Sequence, residues 1–540
     1  MADFDVVIIG GGHNGLTCGA YLAKAGLRIA VVEAESTIGG GTKTEELTAP
    51  GFRHNCCANF FIGLDASPVP RDLDLKKHGF EFLVPDVQQA FIYDDRKALV
   101  VEQDLEATIA SVAKFSAADA VTWRKLHERL WRARPLFVSL AYNLLSEGGA
   151  IAAAALSQGI LTQALSDELQ SVRPMSPFAV IDRYFEDERI RVVFKKLVHV
   201  IQATDSPNFG SLFFGLFINL TRMCMPVGGS QNLADALRNV IVSEGGAVYT
   251  GRRVRRIIVD GKQAKGVEFE NGEILEANDA VAAAIDFPQM TSLAGAENFS
   301  AEVRQKAEGW DWLSALSLAT LHLALSEPPS YLAAEFDPKV AKAFNITFGV
   351  NNADELHRSM SEINAGGFPS IPAGNGSCNS LFDPSYAPKG KHSAFWWPFA
   401  PYVVDGDEMN WERRREEYTK RLLKRWQDFA PNINEKTIES AYLRTPLDIA
   451  RQNASMRFGS CRMGGYTAEQ FGITRPHPDM ADYRVPWING LYHCASTSPN
   501  GGGVNCAAGY NAARVIAEDL GADVWWPRMT LAYATELAGL

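Results

Sequence analysis

The residues best placed to do chemistry open the chain. Gly10, Gly12 and Gly15 make a GxGxxG turn directly after the apolar run Val6-Val7-Ile8-Ile9, and Glu33 closes the next apolar run eighteen residues beyond Gly15. This pattern grips a dinucleotide pyrophosphate: one glycine permits the tight turn, one lets the backbone approach the phosphates, and one lets a helix pack closely on the strand. The phosphates would sit at a helix N-terminus, where unpaired N–H groups and the helix dipole favour negative charge. Glu33 would accept hydrogen bonds from a ribose hydroxyl. The elements needed to hold these residues are legible around them: a buried strand over Val6–Ile9, a helix over Leu16–Ala25 and a second strand over Ile29–Val32. Which dinucleotide binds, and for what reaction, the turn alone leaves open.

A second glycine turn lies at the opposite end of the chain. Leu491 to Ala495 reads as a short strand, 498–503 as a Gly-rich turn, and roughly 504–520 as a helix with Ala512, Ala513, Val515, Ile516 and Leu520 inward and Gly521 at its C-terminal stop. Two such turns, each feeding a helix N-terminus, suit one large cofactor such as FAD. The adenosine end would rest on the first turn and the flavin against the later helix, which could stabilise negative charge at the flavin N1–C2=O edge. The middle of the chain adds a third block. Pro226-Val227-Gly228-Gly229-Ser230-Gln231-Asn232 precedes a helix with Leu233, Leu237, Val240 and Ile241 on one side. A short strand at Val248–Thr250 follows. Val254–Val259, Ala264–Glu270 and Ile274–Ala277 then spell a meander joined by Asp260-Gly261 and Asn271-Gly272 turns, with a separate buried strand at Val281–Ile285. Flavoprotein folds of the glutathione reductase type complete their cofactor domain in this way.

Length and composition set bounds. A chain of 540 residues is too long for one core. Its net charge of −11 opposes nucleic acid as a partner. It has no apolar run long enough for a transmembrane helix. Met1-Ala2-Asp3-Phe4-Asp5 is neither a secretory signal nor a basic transit peptide, so a cytoplasmic location is expected. The eight cysteines lack metal-ligand or CxxC spacing, so no metal is expected and most read as small buried apolar residues. No second GxGxxG lies midway and no redox cysteine pair is visible, which argues against a nicotinamide-dependent disulfide reductase. A flavin accepts hydride by itself, so the absence of a Ser-His-Asp or paired-carboxylate motif counts for little.

With these blocks in place, the chain resembles the phytoene desaturase and carotenoid isomerase branch of FAD-dependent oxidoreductases. GLYHCASTSPNGGGVNCAAGYNAAR (490–514) is similar to that branch's closing flavin motif. Within it the chain is most similar to the pyridine nucleotide-disulfide oxidoreductase domain-containing protein 2 group, on the segments 39–55, 72–82, 225–237 and 383–395. The resemblance implies an α/β (α+β overall) fold: a Rossmann-like FAD-binding domain of glutathione reductase type with an inserted, amine oxidase or phytoene desaturase-like substrate domain of mixed sheet plus helices. It implies FAD held by Gly10, Gly12, Asn14 and Gly15 at the pyrophosphate and by Glu33 and Ala34 at the adenosine ribose. Gly39, Gly40, Gly41 and Thr42 would follow the second strand, Val254 and Ala284 would approach from the middle block, and Ser496, Gly503, Val504 and Asn505 would meet the ribityl chain and ring. Two departures stand out. Pro499-Asn500 replaces the usual His-Pro, and MRFGSCRMGGY (456–466) lacks the usual His-Gly pair.

The expected domains are a discontinuous FAD-binding unit (1–85, 225–290, 456–525), a substrate or cap unit (86–224, 291–455) and a tail (526–540). Residues 86–224 read largely helical, with Leu105–Val112, Ala118–Leu130 and Ile181–Leu197 as candidates. Leu313–Leu325 reads as strand, and Trp396-Trp397-Pro398-Phe399 suggests an aromatic roof for a flat or greasy substrate. The tail would dock on the body, mediate oligomer contacts including homo-oligomers, or touch a membrane surface, in that order. Candidate bases are His54 and His493, with Cys494, His392 and Tyr510 behind them. The leading expectation is dehydrogenation of an apolar or aromatic small molecule, with oxygen, a quinone or another external acceptor. A redox-neutral flavin isomerase and a non-catalytic binding protein on the same fold (the Rab GDP-dissociation inhibitors are an instance) are the alternatives.

Overall fold

The computed structural model of the protein describes residues 3–200, 206–312 and 317–540. Two sheets organise it. In the first, strand Phe4–Ile9 lies between Ile29–Val32 and Ile274–Ala283, with Ala247–Tyr249 outside Ile29–Val32 and Leu491–His493 beside the end of Ile274–Ala283; all these pairings are parallel. Val6–Ile9 and Ile29–Val32 are buried throughout. Continuous apolar runs of this kind are what a parallel sheet covered on both faces requires. Val6, Ile8, Ile29, Val31, Ala280 and Ala282 face the helices His13–Lys24, Gln231–Ser243 and Ala507–Leu520. Val7, Ile9, Ala30, Val32, Val281 and Ala283 face the other way, onto the meander strands Val254–Asp260 and Gln263–Phe269 and the helix Phe287–Leu293. The last meander strand and the separate strand expected at Val281–Ile285 are one ten-residue strand. Its first residues pair antiparallel with Gly266–Glu268, and its later ones enter the parallel sheet. No glycine or proline interrupts 274–283, so the chain changes partner without turning.

The second sheet runs Ile438–Arg444, Thr320–Leu325, His392–Ala400, Gly374–Cys378, Asn345–Phe348, Val87–Ile92 and Ala98–Glu102; it is mixed, with only Asn345–Phe348 and Val87–Ile92 parallel. The pleat splits its residues by parity. One face carries Leu321, Leu323, Trp396, Phe348 and Leu443 against the helix Asn410–Phe429, whose Trp411, Tyr418, Leu422, Trp426 and Phe429 form the buried stripe. The other face carries buried Gln89, His322, Asn345, Asn375, Ser377 and Ser393 together with Phe395, Trp397 and Phe399. This polar and aromatic face is the one turned toward the first sheet's glycine turns.

Two sequence expectations change here, and a third is met where the residues are described. Residues 86–102 are the hairpin Val87–Ile92 and Ala98–Glu102, and helices start only at Leu105. The helix expected over Ile181–Leu197 is two, Pro177–Tyr184 and Glu188–Val200. Buried Asp119 captures the N–H groups of Glu186 and Asp187, each at 2.9 Å, and so stops one helix and starts the next. Of the stretch Leu313–Leu325, residues 313–316 lie outside the described residues, and Ser317–Leu318 and Thr320–Leu325 are strand.

Among the roles expected for the tail, the structure shows docking on the body. Trp525 stacks on Tyr21 with ring centroids 5.5 Å apart, and the Lys24 ammonium lies 3.9 Å from the Trp525 ring centre. Tyr533 donates to Asp72 at 2.6 Å, and Arg134, paired with buried Asp65, donates to the Ala538 carbonyl. Among the described residues no helix is long and apolar enough to cross a membrane. Trp526 is 2 % exposed against Tyr21 and Arg514. Trp526→Ala is therefore expected to cost about 3–5 kcal/mol in equilibrium urea unfolding; a loss within ~0.5 kcal/mol would show that the tail adds nothing to the fold.

Candidate functional site

A cavity of about 340 Å³ runs between the two sheets. One end is walled by Gly10, Gly12, Asn14, Glu33, Ala34, Val254 and Ala284, with Glu35, Arg252 and Arg253 beyond them. The other is walled by Gly40, Gly41, Ser496, Gly503, Val504 and Asn505 and by the aromatic face of the second sheet. Of the cofactor residues expected from sequence, Gly15, Gly39 and Thr42 do not line this cavity. They build its walls instead. The Gly39 N–H donates to the Gly11 carbonyl at 2.8 Å, Gly39 has φ 118°, and the Thr42 hydroxyl donates to the Gly39 carbonyl at 2.8 Å.

The first turn shows why each glycine is where it is. Gly10 holds φ 104°, beyond the reach of most side chains. A Cβ on Gly15 would lie 2.2 Å from the Gly10 carbonyl oxygen, so Gly15 serves helix–turn packing. A Cβ on Gly12 would meet no protein atom within 4 Å, and Gly12 is a cavity-wall residue in an extended conformation. The protein itself thus places no demand on Gly12, and the space beside it belongs to the cavity. No side chain caps the helix that starts at His13, and the buried Asn14 Oδ1 has no hydrogen-bond partner among the described residues. Unpaired backbone N–H groups at a helix N-terminus favour an anion, whereas the Asn14 Oδ1 can only accept from a donor. Glu33, expected from sequence to accept from a ribose, has a structural role in the turn. Its Oε2 accepts from the Gly11 N–H at 2.8 Å and its Oε1 from the Glu35 N–H at 2.9 Å, which braces the turn and leaves further lone pairs on the cavity wall.

The closing turn is tied to the first by His13, whose Nε2 lies 3.1 Å from the Gly503 carbonyl oxygen. The segment without the usual His-Gly pair supplies the support. Arg462 and Tyr466 both donate to the Gly502 carbonyl at 3.0 Å, and the Gly502 N–H donates to the Tyr466 hydroxyl at 2.8 Å. Behind them Arg475 is fully buried and donates only to backbone carbonyls, among them Ser496 at 3.0 Å; burial pulls its pKa down to about 10. Asn500, at the other departure, does not line the cavity. It bonds Tyr483 and donates to the Ala141 carbonyl, fastening the turn to the cap helices. The closing helix starts at Ala507, later than expected, because Cys506 sits at φ 65° and the Asn505 side chain takes the Ala507 N–H.

Neither candidate histidine base reaches the cavity. The His54 ring bonds Thr48 and Ser393 and packs edge-on to His322; the His493 ring bonds Thr497, Ser498 and the Ile285 carbonyl. Burial pushes both down to about 3. Cys494, His392 and Tyr510 are likewise absent from the wall; His392 bonds Ser380 and Tyr510 the Pro527 carbonyl. Among the described wall residues the one histidine is His13, which burial lowers to about 4. Sequence reasoning passed over His13, Lys43, Cys57, Phe60, Cys461 and Arg462 as wall residues. His13, inside the glycine motif, and Cys461 and Arg462, inside the 456–466 segment, carried a signal. All eight cysteines are free; six are buried, and the two that are not, Cys57 and Cys461, are both on the wall.

Comparisons with known proteins agree with this arrangement. Residues 8–73 match the NAD(P)-binding Rossmann-like domain family. Over 99 % of this chain and 98 % of the relative, the sequence is 28 % identical to a limonene dehydrogenase subunit of Castellaniella defragrans. It is 26 % identical to the rat (Rattus norvegicus) pyridine nucleotide-disulfide oxidoreductase domain-containing protein 2, over 96 % of this chain and 94 % of that one. The fold is shared with cyclohexylamine oxidase from Brevibacterium oxydans, at TM-score 0.56 and 14 % identity over 96 % of this chain and all of that one. The chain is thus related to these two proteins over nearly its whole length, and its first residues form an NAD(P)-binding Rossmann-like domain.

Gly15→Ala is expected to destabilise the fold by about 1–3 kcal/mol in chemical unfolding, because the clash is with backbone. The buried histidines set an acid limit. His13, His54, His322 and His493 all have folded pKa values below the ordinary 6.5. The unfolded chain therefore binds protons that the folded chain refuses, and stability falls as pH drops from about 6.5 toward about 4, by up to ~1.4 kcal/mol per pH unit for each ring. Unfolding midpoints measured from pH 7.5 to 4.5 check this; a flat profile would show that the rings protonate freely in the folded protein.

Proposed function

We propose that this chain is an FAD-dependent oxidoreductase that dehydrogenates an apolar or aromatic small molecule by hydride transfer to flavin. Oxygen, a quinone or another external acceptor then takes the electrons. The observation that carries this reading is one cavity reaching from the uncapped first helix to the aromatic face of the second sheet, with the closing glycine turn between. An extended dinucleotide fits the groups present: the Gly12 space and the unpaired helix N–H groups for a pyrophosphate, Glu33 as acceptor for a ribose and Val254 for an adenine edge. The later wall, Ser496 to Asn505, is left for the ring.

When bound, FAD would supply a two-electron acceptor. The chain's own residues do the rest. Phe60, Trp397 and Phe399 offer flat apolar surface that positions a substrate and excludes water. The Arg462, Tyr466 and His13 bonds hold the closing turn rigid, so that a ring against it keeps one face toward the substrate side. The one histidine of the described wall, His13, is tied to the Gly503 carbonyl, so a histidine base is not part of this reading. The kinship with a protein named as a dehydrogenase subunit supports dehydrogenation and makes a second polypeptide one of the acceptors to test.

Two measurements test the reading. Gly12→Val should fold with an unfolding midpoint close to that of the parent yet retain no flavin absorbance near ~450 nm, since the branched side chain occupies cavity space rather than protein space. A fully yellow Gly12→Val protein would overturn the cofactor placement. Anaerobic mixing of the yellow protein with polyenes, steroids, aromatic alcohols, carboxylic acids and amines should bleach the flavin with at least one apolar class. Reoxidation is then followed with oxygen and a quinone. Turnover with no acceptor requirement would favour an isomerase instead.

A further inference from the structure

The charged groups around the cavity are unevenly divided. Glu33 and Glu35 are the only carboxylates among the described wall residues, and both lie at the proposed adenosine end, where Glu33 braces the Gly11 N–H and Glu35 pairs with Arg253 at 3.1 Å. The substrate end holds cations without carboxylates. Lys43 lines the wall and is 6 % exposed, and its ammonium makes no hydrogen bond or ion pair among the described residues. The nearest acid along the chain, Glu45, is already engaged by Arg444 at 3.6 Å and by Gln452 at 2.7 Å.

The surrounding backbone sets Lys43 on the substrate side. Cys56 N–H donates to the Lys43 carbonyl at 2.8 Å and Ala58 N–H to the Gly41 carbonyl at 3.1 Å, so Lys43 lies beside the wall residues Cys57 and Ala58. Phe60 follows them and packs edge-on against Trp397 with ring centroids 5.5 Å apart. A second buried lysine, which burial pulls down to about 7, stands behind the same aromatics. The Lys196 ammonium lies 4.1 Å from the centre of the Phe399 ring and has no carboxylate partner among the described residues, whereas its neighbour Lys195 pairs with Asp182 at 2.8 Å. The Trp397 indole N–H is buried and has no hydrogen-bond partner among the described residues. Lys43 and the Trp397 ring therefore border one aromatic space whose described wall holds no carboxylate at this end.

Resting on the flavin reading above, we propose that the substrate is an apolar, partly aromatic molecule carrying a carboxylate, which the Lys43 ammonium holds. Water can solvate Lys43 in the open cavity, but a bound substrate displaces that water, and a desolvated ammonium is costly unless paired. A hydrocarbon leaves it unpaired. An amine substrate adds a like charge beside it. A carboxylate supplies the missing partner, through charge-assisted hydrogen bonds stronger than neutral ones.

The test uses the flavin-loaded protein and three matched probes: 3-phenylpropionate, 3-phenylpropionamide and 3-phenylpropylamine, each titrated by perturbation of the flavin absorbance. The propionate is expected to bind about tenfold or more tightly than the amide, with the amine weakest. Lys43→Met should retain flavin and bring the propionate down to the level of the amide. Equal binding of the three probes, or binding of none, overturns the proposal, as does a propionate preference that survives Lys43→Met. Loss of flavin in Lys43→Met also overturns it, since the lysine would then serve the cofactor. These failures leave the flavin reading standing; a parent protein that takes up no flavin overturns both.

Discussion

The helix His13–Lys24 is held so close to its neighbours that a Cβ on Gly15 would fall 2.2 Å from the Gly10 carbonyl and one on Gly509 2.2 Å from the Asn14 carbonyl. That double close approach is the constraint the site depends on. The first contact presses the helix N-terminus onto the turn after Phe4–Ile9, and the second brings the closing helix, with its own glycine turn, against the same point. Glu33 and His13 then lock the two turns, one through the Gly11 N–H and the other through the Gly503 carbonyl. A strip of backbone donors results that no side chain obstructs, because Gly12 leaves its space open.

The second sheet answers this strip with an asymmetry of its own. Its outer face spends its apolar residues on the helix Asn410–Phe429, so that the inner face is free to carry polar and aromatic groups. Gln89, Asn345 and Asn375 satisfy one another in a chain of side-chain hydrogen bonds, which lets them be buried without strain on the sheet. Trp397, Phe399 and Phe60 are left facing the cavity. One face thus packs on the helix layer while the other lines the cavity.

The docked tail and the buried Arg134–Asp65 pair have a comparable supporting role on the far side of the first helix. Trp525 and Trp526 pack on Tyr21, in the middle of that helix, and so load it from behind. Arg475 does the same for the closing turn, a fully buried guanidinium whose partners are all backbone carbonyls. Neither element touches the cavity, yet each fixes something that does.

Local pattern was enough to place the two glycine turns that wall the cavity. A GxGxxG turn between a buried strand and a helix, an acid at the end of the next strand and a second glycine turn before a second helix are short-range signals, since glycine positions and apolar runs answer to backbone geometry within a few residues. The tail's aromatic composition and the mixed second sheet were legible for similar reasons. What tertiary structure alone decided depends on partners far apart in sequence. Asp119 splits a helix nearly seventy residues away by binding the N–H groups of Glu186 and Asp187. Ser393 and Thr48 tie down His54, and Thr497, Ser498 and the Ile285 carbonyl tie down His493, turning two expected bases into core residues. Lys43, an ordinary surface residue by composition, becomes a buried cavity cation because residues 41–43 are drawn against 56–58 beneath a sheet built from strands scattered over residues 87–444. Burial and charge environment are sums over all neighbours in space, and no window along the chain contains them.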